Sequence, residues 1–346
     1  MRVLVTGGMG KVGKIAVAYL REKGFDVTVL GRKSDQTIKG ANYIQCDLLD
    51  FEKLKKAFEG HNAIIHLAAQ GTPVGIPGRE VFRINDLGTF HVYEAAAMVG
   101  INRVVTASSI NALGYYFGDR SVPINYIPLD EDHPSLTTDA YSFSKQIMES
   151  IGRYFWERDN ISGVMLRMPV VIRHEKILAN ENHYLVYNPE VITNLLSLED
   201  QQRSIEIKRM DHEFDQYRRS HRTDSLDPLT WWATPDAVTK LTKDEFLYMH
   251  HKVNFFTYLD ELDVAEALYQ GLVMTYKGCH TLFVNANHNS LGLPLSKIAK
   301  LYDVQLPSGD LSDSTSIIST RRAKELINFQ PKWHIEGCFL RKSNFM

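Results

Sequence analysis

The tightest constraint on the fold lies in residues 1–13. A continuous apolar run, Val3-Leu4-Val5, ends in Thr6-Gly7-Gly8-Met9-Gly10-Lys11-Val12-Gly13, and helical spacing follows over 12–23. A chain that leaves a buried strand through glycines at 7, 10 and 13 and enters a helix has the first β–α unit of a dinucleotide-binding sheet. Gly7 permits the tight turn. Gly10 removes a side chain where backbone meets a pyrophosphate, and Gly13 lets the helix pack close to the sheet. With Lys11 and Val12 these residues form the expected cradle. The free N–H groups and the helix dipole there favour an anionic diphosphate. Taken by itself, the pattern also fits a glycine-rich turn with no ligand.

The rest of the first half repeats that unit. Short β-rich runs at 26–30, 41–46, 63–67, 103–107 and 161–166 alternate with helical patterns at 51–58, 79–99 and 141–156. Continuous apolar strands separated by helices predict an α/β doubly wound parallel sheet covered on both faces. Residues 115–138 read as loop, with Pro123, Pro128 and Pro134. We expect a Rossmann domain over 1–170 and a smaller C-terminal α/β substrate-binding part over 171–346, with some late segments returning to the first. A polar, aromatic-bearing stretch near 175–250 (Tyr184, Tyr187, Phe214, Tyr217, Trp231, Trp232) reads either as a helical, substrate-facing insertion or as a solvated decoration. Regular structure resumes at Phe255, with a helix over 262–276 and a strand over 280–285.

Composition narrows the partners. Among 346 residues 44% are hydrophobic, and the formal net charge of −2 gives no basic footprint for nucleic acid or an anionic membrane. No apolar stretch approaches the roughly 20 residues that span a bilayer. No charged segment followed by an apolar one marks a leader at the start. Cys46, Cys279 and Cys338 are scattered and odd in number, which suggests reduced thiols and a cytoplasmic protein. His212, His221, His250 and His251 fit no compact zinc spacing, so no metal is expected. Asp130-Glu131-Asp132-His133 reads as a solvated acidic loop.

The end of the second strand selects between cofactors. An acidic residue there would bind the ribose hydroxyls of NAD. This chain has Leu30-Gly31-Arg32-Lys33 and no carboxylate before Asp35. Arg32 and Lys33 suit a 2′-phosphate, so NADP is expected, with NAD as the alternative; both residues also fit a solvated turn.

Tyr141-Ser142-Phe143-Ser144-Lys145 places a tyrosine and a lysine four apart, on one face of a helix. An ammonium beside the phenol, together with a nicotinamide cation, favours the phenolate and brings it toward working pH. Lys145 also suits a hold on the nicotinamide ribose. Alone, such a pair is common on helix surfaces. Here Ser108 and Ser109 end the fifth strand, where an open α/β sheet places its ligand crevice, although a serine there also suits a strand cap. The same crevice rule marks Gln70, Gly71, Thr72, Asn111 and Met168 as candidate substrate contacts. Arg167, Arg173 and His174 either face an anionic group or are satisfied structural groups.

Together these segments resemble the extended short-chain dehydrogenase/reductase superfamily, in its NAD-dependent epimerase/dehydratase branch. Besides the glycine loop, the resemblance rests on Cys46-Asp47-Leu48, His66-Leu67-Ala68-Ala69, Asn85-Asp86-Leu87-Gly88-Thr89, Ser108 to Gly114 and Leu166-Arg167-Met168-Pro169. Phe256 to Ala265 and Thr320 to Trp333 extend it through most of the chain. It implies cofactor contacts at Asp47, Leu48, Leu67, Ala68, Ala69, Asn85, Tyr141, Lys145 and Met168. It also implies a catalytic set of Ser109 for the substrate oxygen, Tyr141 as acid/base and Lys145 as its support. A homodimer through the helices near 79–99 and 139–156 is implied as well.

Ile110 and Asn111 stand where dehydratases of the family carry an acid pair, and neither can serve elimination. A dehydratase is therefore not expected. Met168-Pro169-Val170-Val171-Ile172 departs from the nucleotide-diphosphate loop, and Ser109 to Tyr116 is similar to members that oxidise free uronates. The expected activity is NAD(P)-dependent hydride transfer at a secondary alcohol or ketone of a sugar or sugar derivative. The alternatives are an epimerase holding its cofactor tightly and a non-catalytic NAD(P)-sensing protein.

Overall fold

The computed structural model describes residues 1–34, 36–173, 189–221, 238–306 and 316–333. Asp35, His174, Tyr184, Tyr187, Trp231, Trp232 and Cys338 lie outside the described residues.

The first half alternates strictly. Strand β1 (Arg2–Thr6) leads into α1 (Lys11–Glu22), then β2 (Asp26–Gly31), β3 (Asn42–Gln45), α2 (Phe51–Phe58) and β4 (Ala63–His66). Helix α3 (Gly78–Phe82), a π turn (Arg83–Leu87) and α4 (Gly88–Met98) precede β5 (Arg103–Ser109). Helix α5 (Ala140–Asp159), β6 (Ser162–Met168) and β7 (Val170–Ile172) follow. The second half adds α6 (Glu190–Ser197), α7 (Asp200–Ser220), α8 (Lys243–Val253), β8 (Tyr258–Asp260), α9 (Glu261–Val273), β9 (Cys279–Phe283), α10 (Leu295–Leu301) and α11 (Arg321–Ile327).

Seven strands form one parallel sheet in the order β3-β2-β1-β4-β5-β6-β9. The chain winds outward from β1 on one side and from β4 on the other. The crevice between their carboxyl ends is the topological switch point where such sheets take ligands. The expected doubly wound α/β sheet is thus the observed one. Strand β9, from the late part of the chain, returns to its edge.

Apolar packing covers both faces. On one face Val3, Val5, Val27, Val29 and Ile65 pack with Val17 and Leu20 of α1 and Val264 and Leu268 of α9. On the other, Leu4, Ile64 and Val104 meet Leu54, Val92, Tyr93 and Phe155 of α2, α4 and α5. Helix α5 starts where the Asp139 side chain accepts the Ser142 N–H at 2.8 Å, and it ends at Asn160 in the left-handed region (φ 55°).

A third apolar cluster lies beyond the sheet. Ile192, Leu195, Ile207, Met210, Phe214, Tyr217 and Phe246 from α6–α8 join Leu113, Tyr115, Phe255 and Ile298 in it. The described parts of the 175–250 stretch therefore contribute to a core and are not a solvated decoration. Polar residues dominate α7, yet its apolar positions recur at helical spacing and are buried together.

Two other expectations change. The helix over 79–99 is interrupted by the π turn, because the Asn85 side chain is drawn into bonds with the Gln70 backbone and with Ser144 of α5. The loop at 130–133 is not simply solvated. Glu131 accepts the Phe283 N–H at 2.8 Å and pairs with Arg322, while His133 is buried and accepts the Asn125 N–H. Burial raises the Glu131 pKa. This loop clamps the sheet edge at β9.

Candidate active site

The glycine loop is shaped by contacts that leave no room for a side chain. Gly7 has φ +70°, and a Cβ on it would lie 2.7 Å from the Ala68 backbone nitrogen. At Gly13 a Cβ would lie 2.3 Å from the Gly7 carbonyl, so the start of α1 sits directly against the loop. Val12 lies in that first turn. Beside the loop a cavity of about 540 Å³ opens between the ends of β1, β2 and β4.

Gly7, Gly10, Arg32, Lys33, Asp47 and Leu48 line this cavity, as do Leu67, Ala68, Ala69 and Gln70. Sequence reasoning missed Met9, Lys14, Tyr43 and Arg83, which also line it. Lys14 lies nearly one helical turn beyond the named Lys11, a spacing that could have marked it. Lys11, in contrast, donates its ammonium to the Val171 carbonyl, so it ties the loop to β7 and does not line the cavity.

Asn85 is also placed differently from expectation. It is fully buried; its Oδ1 accepts the Gln70 N–H at 2.6 Å, and its Nδ2 donates to the Gln70 carbonyl and to Ser144 Oγ. Its amide is thus spent on ordering the loop after β4 and is not brought to the cavity wall. Thr72 belongs to that loop, its carbonyl accepting from Gln70 and its hydroxyl accepting the Val74 N–H. Gly71 faces open space.

Behind the loop His66 threads the sheet to α4. The Thr6 hydroxyl accepts the Ala68 N–H and lies 2.7 Å from His66 Nδ1. The Thr89 hydroxyl donates to the Asn85 carbonyl, so it accepts from His66 Nε2 at 3.0 Å. The Thr89 bond assigns the neutral Nε2–H tautomer, and the Thr6 hydroxyl then donates to Nδ1. Burial, followed by the nearby Lys145 charge, pushes its pKa down to about 3.

The two serines at the end of β5 part ways. Ser108 Oγ donates to Glu149 Oε1 at 2.6 Å. Glu149 is held in turn by Arg167 through bonds of 2.9 and 2.8 Å, all within the buried space between α5 and β6. Arg167 is therefore held by a structural ion pair, although its Nη1 has no hydrogen-bond partner among the described residues, and Arg173 pairs with Glu261. Ser109 instead lies on the side of the Tyr141 phenol, whose ionisation its hydroxyl favours, and accepts the Asn111 N–H at 3.1 Å. Strand alternation explains the split, since neighbouring residues face opposite sides of the sheet. Met168 closes β6 opposite Ser109 and is mostly buried.

Tyr141 sits at the first turn of α5 with Lys145 one turn on, its ammonium 5.5 Å from the ring centroid. Lys145 Nζ donates to the Ala107 carbonyl at 3.0 Å and to the Met148 sulfur at 3.5 Å. Burial pushes the Tyr141 phenol up to about 12, opposed by the Ser109 hydroxyl. In the protein alone desolvation therefore wins; the expected shift toward working pH invoked a nicotinamide cation as well as Lys145. Burial also brings Lys145 down to about 8, against the pull of Asp86 and Glu149.

The comparisons agree with this architecture. Residues 3–184 match the NAD dependent epimerase/dehydratase family. The chain belongs to that family. It is similar to L-arabinose 1-dehydrogenase (NAD(P)(+)) of Haloferax volcanii, at 30% identity over 51% of this chain and 69% of that protein. It is also similar to a uronate dehydrogenase of Pseudomonas syringae, at 31% identity over 48% of this chain and 58% of that one. Among solved structures it resembles a short-chain dehydrogenase/reductase superfamily protein of Agrobacterium tumefaciens with bound NAD (TM-score 0.63, 20% identity, 98% and 95% of the two chains). Among the described residues no helix is long and apolar enough to cross a membrane.

Proposed function

We propose that the protein is an NAD(P)-dependent oxidoreductase of a sugar or sugar derivative, transferring hydride at a secondary alcohol or ketone and using NADP(H). The observation that carries this reading is that Tyr141, Ser109 and Lys145 come together at the carboxyl end of β5, the strand next to β4, whose end borders the glycine-walled cavity.

The residues present fit a dinucleotide. The close approach at Gly7 and Gly13 leaves backbone for a diphosphate to meet, and Lys14 and Arg83 add positive charge to the wall. Arg32 and Lys33 on that wall, with no acidic residue at the end of β2, favour a 2′-phosphate. A bound nicotinamide supplies the acceptor or donor of hydride. Ser109 holds the substrate oxygen, and Tyr141 takes its proton in oxidation or returns it in reduction. Lys145 stabilises the phenolate and holds the ribose. Gln70, Gly71, Thr72, Asn111 and Met168 are the contacts we propose for the sugar.

Phe82, Leu87, Met98, Phe143 and Tyr154 are exposed on α3, the π turn, α4 and α5. Phe82 stacks on Phe143 and Phe90 on Tyr154, with 6.3 Å between centroids in each pair. Such an apolar face supports a cytoplasmic homodimer that joins these helices about a two-fold axis.

The test is to purify the protein without added cofactor, denature it, identify any released nucleotide, and then assay reduction of NADP⁺ and NAD⁺ with aldoses and uronates. An empty protein that prefers NADP⁺, with the preference inverted by Arg32→Asp, supports the reading. Stoichiometric bound NAD(H) without net turnover points to an epimerase instead.

A further inference from the structure

The turn that follows β2 is held from outside along its whole length. The Leu30 carbonyl accepts the Gly7 N–H at 3.1 Å, and the Gly31 carbonyl accepts the Cys46 N–H at 2.9 Å. The Arg32 carbonyl accepts from Gln45 Nε2 at 3.2 Å, and the Lys33 carbonyl accepts from the Tyr43 hydroxyl at 2.6 Å. Four consecutive carbonyls are thus taken by groups from other segments. Strand β3 supplies two of the donors as side chains, because Tyr43 and Gln45 stand two apart on it and its register sets Gly31 beside Gln45. The main chain pinned in this way carries Arg32 and Lys33, whose side chains stay exposed and line the cofactor cavity.

Gly31 makes the Tyr43 bond possible. No left-handed backbone requires a glycine there. What excludes a side chain is the phenol itself: a Cβ on residue 31 would lie 2.8 Å from Tyr43 Oη and 3.4 Å from its Cε2. A larger residue would push the ring away from Lys33. Tyr43 also lines the cavity together with Arg32, Lys33 and Gln36, so the ring that holds the turn borders the space these cations face. Burial raises the pKa of the phenol, which keeps it a protonated donor.

We propose that Tyr43 is a positioning residue for cofactor choice: by holding the Lys33 carbonyl it fixes the Arg32–Lys33 turn at the cavity wall, and residue 31 is a glycine to give the phenol room. A guanidinium and an ammonium on flexible stems lose freedom when they close on a phosphate, and a main chain fixed beforehand removes part of that cost. The 2′-phosphate is the one group that distinguishes NADP(H) from NAD(H), whereas the glycine loop faces the diphosphate that both share. Loss of the Tyr43 bond therefore weakens one cofactor and spares the other. The inference deepens the proposed use of NADP(H) and rests on it.

The experiment separates the two. NADPH and NADH binding to the full chain are titrated by fluorescence in the wild type, Tyr43→Phe, Gly31→Ala, the double variant and Arg32→Asp. Tyr43→Phe keeps the ring and removes only the hydroxyl. Its NADPH affinity should fall about fivefold, the worth of one hydrogen bond, while its NADH affinity stays at the wild-type value. Gly31→Ala displaces the phenol and should do the same. The double variant should be no weaker than either single variant, because both changes act through one bond. Equal losses for the two cofactors in Tyr43→Phe mark a merely structural role and overturn the inference. A Tyr43→Phe protein with the wild-type ratio of affinities, when Arg32→Asp inverts that ratio, overturns it equally. If Arg32→Asp itself leaves the ratio unchanged, the reading of Arg32 and Lys33 fails first, and the inference with it.

Discussion

The Ser108–Glu149–Arg167 group gives the clearest energetic prediction. Glu149→Gln keeps the side-chain shape and removes the charge. Arg167 is then left with its guanidinium between α5, β6 and the Phe283 ring, whose centroid lies 5.1 Å away, without a counter-ion. Both side chains of the ion pair are more than nine-tenths buried, so water from the cavity they border replaces only part of the lost interaction. Breaking a buried pair from one side costs about 3–5 kcal/mol. The glutamine carbonyl can still accept one bond, from Ser108 or Arg167, which places the expected loss near the lower end, at about 3 kcal/mol. Against a typical total of about 5–15 kcal/mol, that is a large fraction. Urea unfolding followed by tryptophan fluorescence reads it as a lowered midpoint with an unchanged slope. The double change Glu149→Leu with Arg167→Met removes both charges and should recover most of the loss. A single variant within about 0.5 kcal/mol of wild type, or a double variant no better than the single, would refute the reasoning.

Other outcomes follow from the same structure. Gly13→Ala puts a methyl 2.3 Å from the Gly7 carbonyl, so the loop must shift; NADPH affinity should fall at least about tenfold by fluorescence titration. His66 and His250 are both lowered to about 3 by burial, so the unfolded chain binds protons that the folded one refuses. Stability from these groups is complete above about pH 6.5 and is lost as pH falls toward 3, which thermal melts between pH 7 and pH 4 will show as a steep decline. Phe143→Glu places a charge in the exposed aromatic face and should turn a dimer into a monomer in sedimentation velocity.

The sheet was readable because its signals are local. Val3 to Thr6, Ala63 to His66 and Arg103 to Ser109 are apolar runs that only a two-sided sheet buries, and Gly7 and Gly13 report a crowding that the structure confirms. What escaped depends on distant partners. Nothing near Glu131 announces that it receives the N–H of Phe283, 152 residues away. Nothing near Asn85 says that its amide is spent on Gln70 and Ser144, so it read as a cofactor contact. The pair Ser108 and Ser109 was divided by resemblance alone, and strand alternation supplies the physical reason. Lys14, Tyr43 and Arg83 reach the cavity from three separate elements, and only the folded chain assembles them.

The most direct test of the account is a comparison of wild type with Tyr141→Phe on the first sugar substrate found in the screen, with NADPH affinity measured on the same samples. The account predicts unchanged cofactor affinity and turnover reduced by about 10²-fold or more, the contribution of a positioned acid/base. A Tyr141→Phe protein that turns over at the wild-type rate would contradict it.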